Sequence, residues 1–121
     1  MACSGHSSGE LKHGTLARVD QDSKLILFLT KDENFEKSMT AASQIVARKG
    51  NPIIVCEKDN VEAKEFVAKG GHHCIEVPHA VPAVQAILNI IPMQLLAYHM
   101  AKLKGCNVDK PRNLAKSVTV L

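Results

Sequence analysis

The 121 residues include no tryptophan, one tyrosine and three phenylalanines. So thin an aromatic set (Phe28, Phe35, Phe66 and Tyr98) offers no platform on which bases could stack, which argues against nucleic acid as a partner. Charge of one sign is equally scarce. Lys and Arg number 15 against 12 Asp and Glu, so the net charge is +3 and no polybasic stripe occurs. The four cysteines (Cys3, Cys56, Cys74 and Cys106) form no C-x-x-C pair. The N-terminal region lacks the basic start and apolar run of a signal peptide. Reduced thiols in an intracellular, cytoplasmic protein are therefore expected rather than disulfides. Neither a G-x-G-x-x-G fingerprint nor a Walker loop is present, and no cofactor is implied. The longest apolar stretch, 80–103, is interrupted by Pro82, Gln85, Asn89, Pro92, Gln94, His99 and Lys102. It reads as a buried helical region rather than a membrane span.

What is present suits a folded domain. Hydrophobic residues are 45% and charged residues 22%, close to the globular average. The length leaves room for one domain of the usual ~100–150 residues. Residues 1–8 read as a loose N-terminus. Ser7 and Glu10 stand at capping-box spacing, which predicts a short helix from about Gly9 to Val19. Lys24–Thr30 is apolar on both faces, as a strand covered on both sides would be. Thr30 and Glu33 repeat the capping-box spacing and open a helix through Phe35, Met39, Ala42, Ile45 and Val46, stopped by Gly50-Asn51-Pro52. Ile53–Cys56 and Cys74–Val77 read as further strands, with a weaker helix over Val61–Lys69 between them. The longest helical pattern runs from Ala83 to Gly105, and Pro92 should kink or divide it. Strands alternating with helices predict βαβ crossovers and a three-layer α/β/α sandwich on a parallel sheet. Only about three strands are visible where such sheets commonly carry about five, so the sheet is expected to be incomplete.

Several residues could carry chemistry. His72, His73, Cys74 and His79 cluster in sequence but match no zinc spacing, and loop histidines account for them more simply. No metal site is assigned. His99 lies on the apolar face of the long helix and reads as a hydrogen-bonded core histidine. Two segments are less easily explained. One is Gly9-Glu10-Leu11-Lys12-His13-Gly14, a charged hexapeptide framed by glycines; the other is Pro111–Val120, which sets Lys116 among small and apolar residues. A lysine enclosed in that way loses hydration, its pKa falls and its free amine becomes a nucleophile. Spacing alone leaves a surface lysine the commoner outcome.

Taken with Ile91–His99, these segments closely resemble the C-terminal end of the glutamine–fructose-6-phosphate aminotransferase (isomerizing), or glucosamine-6-phosphate synthase, family. The likeness runs from Gly9 to Val120 and includes Val46-Ala47-Arg48 and Val77-Pro78-His79. It implies that 9–105 is most of a second sugar-isomerase (SIS, flavodoxin-like) subdomain and 106–121 a catalytic tail, with 1–8 outside the likeness. Lys116 falls on the family's lysine that forms an imine with C2 of the open-chain ketose. Ala115 falls on a position lining the sugar site, and His13 on the histidine that opens the sugar ring, supplied across a subunit interface. Fructose 6-phosphate and glucosamine 6-phosphate are the implied ligands, and a homodimer or association with the rest of the enzyme the implied assembly. The chain also departs from the pattern. The family's general-base glutamate has no counterpart among residues 1–8, and its phosphate-holding Ser/Thr loop and glutaminase domain are absent. Thr15 replaces a proline, and Leu121 a glutamate. Little activity is expected from these residues alone. A non-catalytic sugar-phosphate-binding or interaction module and an inert truncated product remain the alternative readings.

Overall fold

A computed structural model describes residues 3–110. Two compact units divide them, one ending at Asn89 and the other starting at Ile90. The first unit holds the sheet. Its order is β1 (Ile26–Leu29), α1 (Phe35–Ala47), β2 (Ile53–Glu57), α2 (Val61–Gly70) and β3 (Cys74–Val77). The strands lie in the order β1-β2-β3, all parallel, with Ile26 opposite Ile53 and Ile54 opposite Cys74. Among the described residues the sheet therefore has three strands, as the sequence predicts. Each consecutive pair is joined through one helix.

Alternation along a strand decides what each side chain meets. Leu27, Leu29, Ile54, Cys56 and Cys74 share one face and pack with Phe35, Met39 and Ala42 of α1 and Ala63, Phe66 and Val67 of α2. Both crossover helices thus cover the same side of the sheet. Fully burying an aliphatic side chain contributes roughly 1.5–3 kcal/mol, so this layer is the main apolar store of the fold. The other face carries Ile26, Phe28, Ile53, Val55 and Ile75; Val55 is buried, while Ile75 is exposed.

Local endings differ from the sequence expectations in instructive ways. No capping box forms at Thr30–Glu33. The backbone N–H of Asn34 instead donates to the Asp32 carboxylate at 2.8 Å, an Asx turn that launches α1. At the other end Lys49, not Gly50, takes the left-handed conformation, with φ 63°. Gly50 is required for space: a Cβ there would stand 2.8 Å from Ile45 Cγ2 and 2.9 Å from Val19 Cγ1. The predicted helix over 9–19 is replaced by two short 3₁₀ turns, Glu10–His13 and Thr15–Arg18. Gly14 breaks them apart at φ 129°, and no side chain caps the first. Leu11 and Leu16 from these turns pack on Ala41 and Ile45, so α1 is held between them and the sheet.

Helix α3 spans Pro82–Leu103 as one uninterrupted helix with Pro92 inside it, so the predicted division does not occur. The Leu88 carbonyl loses its helical partner there, since proline has no N–H. The stretch is also not the buried region expected. Val84 and Ile87 in the first unit are exposed, as are Ile91, Leu95 and Tyr98 in the second. His99, read as a core histidine, is exposed and lies edge-on to Tyr98. By length and composition α3 would also be long and apolar enough to cross a membrane.

Asn60 closes the carboxyl ends of the first two strands. Its Oδ1 accepts from the Ala63 N–H at 3.1 Å, its Nδ2 donates to the Leu29 carbonyl at 3.0 Å and to Glu57 Oε2 at 3.2 Å. Replacing Asn60 with Ala removes the α2 cap and orphans a buried carbonyl and carboxylate. The expected loss is about 2–4 kcal/mol of unfolding free energy, read as a lower urea midpoint with an unchanged slope.

Candidate functional site

In open α/β sheets, ligands bind beyond the carboxyl ends of the strands. In this chain those ends are built from side-chain amides and one buried carboxylate. Glu57 closes β2, is 1% exposed, and accepts from the Lys31 N–H at 2.9 Å through Oε1 while Oε2 takes the Asn60 amide. A carboxylate in so buried a place is tolerated because both oxygens have donors. Beside it, Asn89 Nδ2 donates to Thr30 Oγ1 at 2.7 Å, at the end of β1. Gln85, also buried, accepts from the Ala80 N–H at 2.8 Å and donates to the Pro78 carbonyl at 3.2 Å and to Asn89 Oδ1 at 3.0 Å. These bonds tie the first turns of α3 to the exits of β1 and β3. They also explain why Thr30 is not a helix cap: its hydroxyl serves Asn89.

An open depression lies alongside β1, lined by His6, Ser8, Phe28, Thr30, Asp32 and Ser38. Ser8 and Ser38 face each other across it with their hydroxyls 3.0 Å apart. Among the described residues its lining is mostly polar and includes no lysine or arginine.

His13 closes the first 3₁₀ turn. Its Nδ1 is 3.0 Å from Glu10 Oε2, and both side chains are about two-thirds exposed, at 69% and 68%. Leu11, two residues away, is buried and anchors the turn, so the backbone is fixed while the imidazole faces outward. Lys116 and Ala115 lie outside the described residues, so their distance to His13 is not part of the geometry. Of the histidine cluster, His72 bonds Asn51 Oδ1 at 2.8 Å and stacks on Phe66, while His79 lies 3.6 Å from Asp59. They face different partners, and among the described residues no three His, Cys, Asp or Glu side chains converge.

Glu57, Asn60, Gln85 and Asn89 were not singled out by the sequence. Asn60 was legible, since it stands directly before the first residue of α2 where a cap belongs. Glu57 was signalled only as a charge ending an apolar strand. Gln85 and Asn89 gave no local cue, because their partners are distant in sequence.

The SIS domain family model matches residues 1–104. The chain belongs to the SIS domain family. Within it, the chain is 50% identical over 120 residues to glutamine–fructose-6-phosphate aminotransferase [isomerizing] 2 of Mus musculus, covering 99% of this chain and 17% of that protein. It is 48% identical over 121 residues to the corresponding aminotransferase of Saccharomyces cerevisiae, again covering 99% of this chain and 17% of the relative. A solved structure, the C-terminal domain of glucosamine-fructose-6-phosphate aminotransferase from Francisella tularensis, superposes with a TM-score of 0.76 at 34% identity. That match covers 88% of this chain and 29% of the other. The chain thus spans about a sixth of the length of the curated relatives it matches, at 17%.

The anchoring of the His13 turn is testable. Leu11→Ala should cost about 2–4 kcal/mol and raise amide hydrogen exchange over residues 10–18 before the sheet amides respond. Uniform loosening of the whole unit would show that the turn is not separately held.

Proposed function

We propose that these 121 residues act as the C-terminal isomerase portion of a glutamine–fructose-6-phosphate aminotransferase, which converts fructose 6-phosphate and glutamine to glucosamine 6-phosphate and glutamate. The observation that carries this reading is the near end-to-end likeness, about half identical over 99% of the chain, together with the fold it shares with the solved relative at a TM-score of 0.76. In this reading Lys116 supplies the amine. Its nitrogen adds to C2 of the open-chain ketose and water leaves, giving an imine that acidifies the C1 protons. His13 handles the proton that moves when the sugar ring opens, a task suited to a group that titrates near neutral pH. Ala115 sits beside the sugar, where a small side chain leaves room.

The outward placement of His13 supports its delivery to a second subunit rather than to a pocket of its own chain. Leu11 and Leu16 hold its backbone, and its side chain is 69% exposed. The reaction also needs a general base that shuttles a proton between C1 and C2 and a group that holds the sugar phosphate, and neither is assigned to these residues. The same reading includes assembly as a homodimer or with the rest of the enzyme, in the cytoplasm. The exposed apolar residues Val84 and Ile87 on α3 favour a second reading, an interaction module without chemistry of its own.

Borohydride reduction in the presence of fructose 6-phosphate separates the two readings. Mixed with full-length aminotransferase, the chain should gain a reduced sugar adduct that maps to Lys116 and is lost in Lys116→Arg. An unlabelled Lys116, with the chain alone and with the chain mixed with full-length aminotransferase, would sink the catalytic reading and leave the interaction module. Glucosamine 6-phosphate formation by the 121 residues alone should stay at background.

A further inference from the structure

Cys56 and Cys74 stand on adjacent strands with their sulfurs 3.5 Å apart. The isomerase reading uses neither. Both lie on the helix-covered face, packed with Phe66 and Val67. Cys56 is buried and Cys74 half-buried, so Cys74 is the approachable member. Burial first, with the hydrogen bond to Cys74 acting in the same direction, pushes the Cys56 thiol up to about 12. It stays protonated at neutral pH and is a poor partner for reagents that need a thiolate.

Register determines what this pair can become. Cys74 lies opposite Ile54, and Cys56 opposite Glu76, so the two cysteines are diagonal neighbours, offset by two positions. Strands about 4.8 Å apart with a rise of about 3.3 Å per residue put such diagonal Cα atoms roughly 8 Å apart. A disulfide needs them within ~7 Å unless the backbone moves. The sulfurs touch, yet a direct bond between them is out of reach. A single soft atom between them is a different matter. With bonds of about 2.3 Å to each sulfur, as for thiolates on zinc, the observed separation subtends an angle a little over 90°. This suits a pyramidal centre with two sulfur bonds and one further substituent, and soft sulfur ligands select soft centres.

We propose that Cys56 and Cys74 form a dithiol site that captures a monosubstituted trivalent arsenical, which bridges β2 to β3. The reagent R–As=O condenses with the two thiols. Two S–H bonds break, two S–As bonds form, and the oxygen leaves with both protons as water. Arsenic remains trivalent throughout, so no oxidant or reductant is consumed. The high proton affinity of Cys56 is no obstacle, because its proton departs in the water. Cys74 engages first, and closure onto Cys56 follows in the packed layer beneath α2. The bridge then cross-links the centre of the sheet to its β3 edge.

Phenylarsine oxide added to the 121-residue chain tests this. Intact-mass measurement should show one equivalent of reagent less one water. Peptide mapping should place it across Cys56 and Cys74, and a 1,2-dithiol should remove it where an equal concentration of monothiol does not. The adduct should persist in Cys3→Ser/Cys106→Ser, which lacks the two exposed thiols, and should be lost in Cys74→Ser. Should Cys74→Ser fail to fold, mapping on the unsubstituted chain still decides the matter. Diamide should leave the pair unlinked. Arsenic found on Cys3 or Cys106, or a Cys56–Cys74 disulfide after diamide, would overturn the proposal.

Discussion

The buried contact between Glu57 and Asn60 is the constraint on which the rest of the first unit depends. It gathers the end of β1, the loop after it, the end of β2 and the first turn of α2 into one set of bonds. Each group alone would be expensive to bury. Together, two carboxylate oxygens meet two donors, and one amide serves both a carbonyl and a helix start. The geometry tolerates little change, because shortening or moving either side chain orphans partners from two elements at once. Gln85 and Asn89 extend the same logic to β3 and α3. Where many α/β proteins form their crevice from glycine-rich loops, this chain uses side-chain amides, and the exits of all three strands are fixed by them.

A second constraint is the one-sided covering of the sheet. Because the strands follow one another in spatial order, both crossovers return on the same side and leave the other face to be covered by something else. The side chains there, Ile26, Phe28, Ile53, Val55 and Ile75, are apolar, as a strand covered on both sides requires. Among the described residues β1 and β3 are both edges, and β1 borders the depression lined by Ser8 and Ser38. A half-built sheet and a helix rich in exposed isoleucine and leucine fit a chain that spans about a sixth of its relatives' length, at 17%.

Much of this was legible beforehand where the signal was short-range. β3 coincides with its predicted span, β2 and α2 differ by a residue at their ends, and the parallel three-stranded arrangement followed from alternating apolar runs with Gly and Pro punctuation. Failures arose where distant partners decided the outcome. Thr30 has the spacing of a cap but bonds Asn89, 59 residues away. Ser7 and Glu10 have the same spacing, yet Gly14 and the brevity of the segment give two tight turns instead of a helix. His99 sits on an apolar stripe and is exposed among the described residues. His13, Ala115 and Lys116 were put forward by family likeness rather than by spacing, and of the three only His13 lies among the described residues. The network of Glu57, Gln85 and Asn89 at the strand exits was not legible, since such amides and carboxylates look like surface residues until their partners are placed.

The spatial order of the strands also bears on how the unit is made. Among the described residues every strand pairs with the next one in the chain, so none of them has to be threaded between earlier ones. During synthesis, β1 and α1 can wait on the surface for β2, and β2 with α2 for β3, each step closing a loop no longer than one crossover. The Glu57–Asn60 clasp can form as soon as β2 and the start of α2 have emerged, before β3 exists. The central strand is thus secured early, while its outer neighbour joins last.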